Sequence, residues 1–252
     1  MLAVSPRRAV VVALAALPLV GCSSGSTSIP VPEPVATTTL LARVGADSVA
    51  IERFTRTAKH MDGTLVTRLP ATRIARYSVE LGSSGAPLRA DVSVRDGLGA
   101  PLPGGLQSLS VRFAHDSAIF VGHRSASDTS QAFAVRGAVL PSLPTSYALY
   151  ELALARMSIF GRDSVEFASV PLVLGTREAV PQTVRVVSRD SVRITEDGRP
   201  LLIHHDRRGA IDGVDGSRTP SRIQVARVDS LDLESIARAW AQRDGSGASS
   251  PK

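Results

Sequence analysis

The chain has 252 residues, a formal charge of +6, 43% hydrophobic and 4% aromatic residues, enough apolar mass for a core of Val, Leu, Ile and Ala. Its basic and acidic positions are interleaved with no block of like charge, which argues against a nucleic-acid partner. A single cysteine, Cys22, excludes an intramolecular disulfide and any metal site built from several thiolates.

In chain order, Arg7 and Arg8 precede an uncharged run from Ala9 to Val20, the arrangement of a secretory signal. The run is shorter than the roughly 20 apolar residues that a spanning helix needs, so cleavage is expected. It ends in Leu19, Val20, Gly21 and Cys22, which resembles the lipobox of bacterial lipoproteins. That resemblance implies that residues 1–21 are an export signal recognised through Leu19, Val20 and Gly21. It also implies a cut after Gly21 and acylation of Cys22, which would tether the mature chain to a membrane. Two or three acyl chains, at about 0.8 kcal/mol per buried methylene, anchor stably where one would be marginal. In lipoproteins of that kind Ser23 after the cysteine is compatible with transfer to an outer membrane if the organism has one, and the expected location is otherwise the outer face of the plasma membrane.

Residues 22–38 are rich in Ser, Thr and Pro, with Pro30, Pro32 and Pro34 favouring an extended spacer. Residues 39–244 form the expected single domain, and 245–252 a disordered tail. From about Val49 the pattern alternates with period two, most clearly at Leu88, Ala90, Val92 and Val94 against Arg89, Asp91, Ser93 and Arg95. Tyr77, Val79 and Leu81 precede that strand across Gly82-Ser83-Ser84-Gly85, a hairpin loop. Further strands are expected at Leu109–Phe113 and Ile119–Val121, and after a helix at Val165–Leu174, Val184–Ser188, Val192–Thr195, Leu201–His205 and Ile223–Val228. Turns are read at Arg189-Asp190-Ser191, Asp197-Gly198 and Asp212-Gly213.

The helix spans residues 145–160 behind Pro144, with Leu149, Leu152, Ala153, Met157 and Phe160 as one stripe and only Glu151 and Arg156 plainly polar. A second helix, residues 231–243, starts at a cap from Asp229 or Asp232 and buries Leu233, Ile236, Ala237 and Trp240. The fold class is therefore mainly β (α+β): a curved antiparallel sheet or half-barrel wrapped around one apolar helix, with a C-terminal surface helix. Over residues 48–229 this layout is similar to the lipoprotein carriers LolA and LolB and related lipid-binding lipoproteins.

No sequence pattern for a serine nucleophile, nucleotide, metal or cofactor is present, and no cofactor, catalytic or metal residue is expected. His204 and His205 should face opposite sides of a strand. His123, in phase with Ile119 and Val121, is the residue expected at an interior cavity. The leading reading is a non-catalytic envelope lipoprotein binding an apolar ligand or lipid beneath the central helix. The alternatives are a structural or assembly lipoprotein working through an envelope protein partner and, behind that, a hydrolase.

Overall fold

The computed structural model describes residues 35–247 apart from 69, 126 and 197. Residues Leu19, Val20, Gly21 and Cys22, the tether to position 34 and the last five residues lie outside that range. The strands of the first half are β1 (Val35–Val44), β2 (Asp47–Arg56), β3 (His60–Thr67), β4 (Arg73–Leu81), β5 (Pro87–Asp96), β6 (Leu106–Phe113), β7 (Ser117–Arg124) and β8 (Asp128–Ala134). Then come β9 (Ala138–Ser142), the helix α1 (Tyr150–Phe160), and β10 (Ser164–Pro171). The chain closes with β11 (Val180–Ser188), β12 (Ser191–Glu196), β13 (Arg199–His205), β14 (Ile211–Gly216), β15 (Ile223–Val228) and the helix α2 (Leu233–Gly247).

All these strands belong to one 15-stranded sheet, ordered β8-β7-β6-β5-β4-β3-β2-β1-β15-β14-β13-β12-β11-β10-β9. It consists of two meanders joined at the centre, where the first strand pairs with the last. The period-two alternation produces this directly: Tyr77, Val79 and Leu81 of β4, and Ala90 and Val92 of β5, are buried on one face. One pair departs from the expected antiparallel scheme, because β9 and β10 run parallel from Phe167↔Ala138 to Pro171↔Ser142. Parallel neighbours need a crossover, and α1 supplies it.

The sheet bends until its two ends touch. Gln131 on β8 donates from Nε2 to the Thr176 carbonyl at 2.7 Å. Leu174 packs against Gly122 of β7 so closely that a Cβ there would lie 2.7 Å from its Cδ2. Inward-facing residues of both meanders, such as Phe54, Phe120, Phe167 and Ile194, share one core with Leu152, Leu154 and Met157 of α1. A second, smaller core lies on the opposite face, where Leu41, Ile51 and Val66 meet Leu233, Ala237 and Trp240 of α2. The central strands are thus covered on both sides.

Helix boundaries differ from the sequence reading for local reasons. Thr145 has a left-handed φ of 64°, and the bonds Ser146 N–H to Leu143 O and Tyr150 N–H to Tyr147 O belong to turns, so α1 starts at Tyr150 rather than 145. Glu151 and Arg156, its two charged residues, are buried, whereas Ile159 and Phe160 are 50% and 40% exposed. Asp232 caps α2 by accepting the Glu234 and Ser235 N–H groups at 3.1 Å each, and α2 continues through residues 245–247, assigned above to the tail. At the other end β1 begins at Val35, inside the stretch assigned to the tether. The β-branched run that follows Pro34 is strand-forming, and Thr38 and Thr39 are buried. Asp212-Gly213 is strand, part of β14; the turn lies at Asp206–Ala210, where Asp206 Oδ1 accepts the Arg208 and Ala210 N–H groups.

Gly63 fixes one side chain that matters below. It stands opposite Tyr77, and a Cβ at Gly63 would lie 2.1 Å from the Tyr77 Cζ, so the ring lies across the glycine backbone. The ring is buried and its hydroxyl is hydrogen-bonded, so it cannot yield freely. Gly63→Ala should therefore lower stability by about 1–3 kcal/mol, the usual range for overpacking. An unchanged urea midpoint would show that the ring has room to move.

Candidate functional site

Strand β2 directs Ala50, Glu52, Phe54 and Arg56 toward α1, and Ile51 toward α2. Two of these inward residues are charged, and the helix is built onto them. Glu52 Oε1 accepts the Tyr77 hydroxyl at 2.8 Å and the Ser146 hydroxyl, while Oε2 accepts the Tyr147 and Ala148 N–H groups at 2.8 and 3.0 Å. The carboxyl thus takes up backbone donors at the entrance to α1, where negative charge is favoured. Burial raises its pKa above the ordinary value, against the lowering effect of those bonds. Burial and the Glu52 charge hold the Tyr77 phenol well above its ordinary value and push Tyr147 up to about 12. Both phenols remain protonated, and that of Tyr77 donates to Glu52. With both oxygens occupied, Glu52 is a clamp on the helix rather than a free base.

One turn further, Glu151 Oε2 meets Arg56 Nε at 3.0 Å and Oε1 accepts the Ile211 N–H at 2.9 Å. Both partners of this ion pair are buried. Burial raises the Glu151 pKa, opposed by the Arg56 charge. The pair ties β2 to β14 through the helix, so α1 is held to both halves of the sheet.

The C-terminal half of α1 holds a different kind of charge. Arg156 is 7% exposed, donates from Nη1 to the Val139 carbonyl at 2.7 Å, and carries its guanidinium carbon 5.4 Å from the Phe160 ring and 5.6 Å from the Phe167 ring. It has no carboxylate partner among the described residues, and its Nε has no hydrogen-bond partner. Burial lowers its pKa. Directly across the ladder from Phe167 stands Gln182 on β11, 1% exposed, with neither Oε1 nor Nε2 hydrogen-bonded. Each unmet buried amide atom costs about 1–3 kcal/mol.

Phe167 also lines a groove of about 560 Å³ bordered by Val135, Gly137, Ala168, Ala179 and Pro181, with Arg136, Glu166 and Glu178 at its charged positions. The groove lies beside the link between β8 and β9, which are consecutive in the chain and form the two free edges of the sheet. Its size falls within the range of small-ligand sites.

His123, placed by sequence phase at an interior cavity, is on the opposite face. Ala118, Phe120 and Gly122 of β7 point inward, and the His123 side chain is 48% exposed with Nδ1 2.8 Å from Asp128 Oδ1. Ile119 and Val121 are apolar residues of the outer, half-buried face, which inverted the phase. His123 lines a shallow surface groove of about 470 Å³ with Ser78, Arg89, Asp91, Ser108 and Ser110. His204 is exposed and His205 buried, on opposite faces as expected. Among the described residues no grouping of hydroxyl, imidazole and carboxylate forms a relay: His60 offers the same nitrogen, Nε2, to Asp62 and Ser78, and His204 bonds Ser191 through Nδ1 alone. Asp91 and Glu166 are solvent-side carboxylates. Among the described residues no three His, Cys, Asp or Glu side chains converge as metal ligands, and no helix is long and apolar enough to cross a membrane.

Sequence reasoning did not single out Glu52, Arg56 or Gln182. The signal for the first two was phase: Glu52 and Arg56 alternate with Ala50 and Phe54, but Val49 and Ile51 are apolar too and hide the inward face.

These features define a class: a mainly β domain whose single bent sheet packs on a helix pinned by buried carboxylates. No protein family profile matches the sequence, and no curated protein matches it. Among solved structures, the crystal structure of a DUF1089 family protein from Pseudomonas aeruginosa is similar at a TM-score of 0.49 and 9% identity, over 66% of this chain and 89% of that one. Nothing is transferred to this chain at that degree of likeness.

Proposed function

We propose that this chain is a lipid-anchored envelope protein, tethered through acylated Cys22, whose bent sheet forms a half-barrel around α1 and binds an apolar or lipid ligand without catalysis. The observation that carries the reading is the groove beside the free edges β8 and β9, bordered by Val135, Ala168, Ala179 and Pro181. An unclosed barrel is open to a ligand at this seam, and a partly apolar groove suits an acyl chain. Leu88, Ile159 and Phe160 add large exposed apolar side chains, with Ile159 resting against the β4–β5 hairpin at Gly85.

The test uses the full chain carrying Cys22→Ser, purified without detergent and weighed by native mass spectrometry. Retention of an acyl-chain lipid, from the cell or after incubation with palmitoyl lipids, is the expected result. A bare mass in every preparation would remove the ligand reading.

A structural or assembly role is favoured by one observation: β8 is a free edge whose residues are mostly exposed, a template for strand addition. Crosslinking in the native envelope separates the two, with reproducible protein partners at β8 favouring assembly and lipid adducts at Phe167 favouring ligand binding.

A further inference from the structure

We propose that the buried corner where α1 crosses β9, β10 and β11 is a headgroup site for an oxyanion-bearing amphiphile, held by Arg156 and Gln182 on either side of the Phe167 ring. This inference rests on the lipid-binding reading and adds the chemistry of the ligand.

Each of the two polar side chains neighbours the Phe167 ring. Arg156 comes from the helix and lies over Phe167, while Gln182 comes from the neighbouring strand in the register position opposite Phe167. Both are more than nine-tenths buried, and between them they leave Arg156 Nε, Gln182 Nε2 and Gln182 Oε1 without a hydrogen bond. The guanidinium cannot shed its charge in a protein, so burial without a carboxylate leaves a cation that only an anion from elsewhere can neutralise. Its remaining donors present the planar fork that suits a carboxylate or a phosphate. The Gln182 amide adds a donor for that oxyanion, and its Oε1 offers an acceptor to a hydroxyl beside it. Packing needs alone would be met by apolar residues at both positions.

The apolar part of the ligand has a place as well. The Phe160 ring, 5.4 Å from the Arg156 guanidinium, is 40% exposed, and Ile159, 50% exposed, lies with the Arg156 stem beside Gly85. An acyl chain laid along these two exposed side chains brings its head to Arg156.

The full chain carrying Cys22→Ser is titrated with three probes of equal chain length: palmitate, 1-palmitoyl-lysophosphatidate and uncharged monopalmitoylglycerol. Both anionic probes are expected to bind more tightly than the neutral one. Tighter palmitate points to a free fatty acid and tighter lysophosphatidate to a phospholipid head, and either order supports the site. Arg156→Met should lose about ten-fold or more of anionic affinity, the scale of a charge-assisted bond, and leave the neutral probe unchanged. Gln182→Leu, which removes no charge, should show a smaller loss with the same selectivity, and it keeps the test open if Arg156→Met fails to fold. Both variants should be at least as resistant to urea as the ligand-free parent. Equal binding of charged and neutral probes, unaffected by either variant, overturns the headgroup site and leaves the lipid reading standing. Binding of none of the three overturns both. An anionic preference untouched by both Arg156→Met and Gln182→Leu also overturns the assignment.

Discussion

Glu52→Ala should unfold this domain or bring it close to unfolding. The substitution leaves the Tyr147 and Ala148 N–H groups and the Tyr77 and Ser146 hydroxyls without their acceptor in the interior. At about 1–3 kcal/mol for each of the four donors left unsatisfied, the loss is at least about 4 kcal/mol, a large part of the 5–15 kcal/mol or so that holds a typical domain together. Glu52→Gln is the milder variant. Its amide oxygen can take the two N–H groups and its NH₂ can donate to the hydroxyls, which rotate to accept, so about 1 kcal/mol is expected. The pair also has a pH signature. Burial holds the Glu52 pKa above 4.5 in the folded state, so its contribution is complete below that pH and is lost as pH rises through the raised value. The gap between wild type and Glu52→Gln in urea should therefore be widest below pH 4.5 and narrow above it. A gap that widens with pH would show that the four hydrogen bonds outweigh burial.

The second large effect is expected at the buried ion pair. Glu151→Ala deprives Arg56 of its carboxylate in a site where Arg56 is 4% exposed. Removing one member of such a pair costs about 3–5 kcal/mol. The double variant Arg56→Met with Glu151→Leu removes both charges at similar volume, and it should recover most of that loss. A double variant no better than Glu151→Ala alone would show that the Ile211 N–H bond or side-chain packing, rather than the charge, sets the cost. Both predictions concern the attachment of α1, since these carboxylates decide whether the helix stays inside the bent sheet.

The parts of this structure that were legible in the sequence are those with one wet and one dry face. The β4–β5 hairpin around Gly82 to Gly85 and the Leu233, Ala237 and Trp240 stripe of α2 are where the pattern places them. Strand β1 carries little alternation because α2 covers the outer face of the centre of the sheet: Leu40 faces the main core and Leu41 the smaller one, so adjacent apolar residues are both buried. Strand β8 is a free edge, so DTSQAFA has scarcely a buried face to reveal. Strand β14 reads as turn because Asp212-Gly213 and Asp215-Gly216 have turn chemistry, and tertiary pairing with β13 and β15 overrides it. The buried polar residues were hidden for a related reason. A Glu between apolar neighbours on β2, and a Gln on a strand reading VPQTVRVVS, look like solvent positions until the partner helix is in place.

Membrane tethering through Cys22 is the claim on which the proposed function stands. The most direct measurement is fractionation of cells expressing wild type and Cys22→Ser, followed by intact mass analysis of the recovered protein. Wild type should sediment with membranes, resist high salt, dissolve in detergent, and weigh more than the chain cut before Cys22 by its acyl groups. Cys22→Ser should be recovered in the soluble fraction. A Cys22→Ser protein that remains in the membrane, or a wild-type chain with an unmodified thiol at Cys22, would contradict the account.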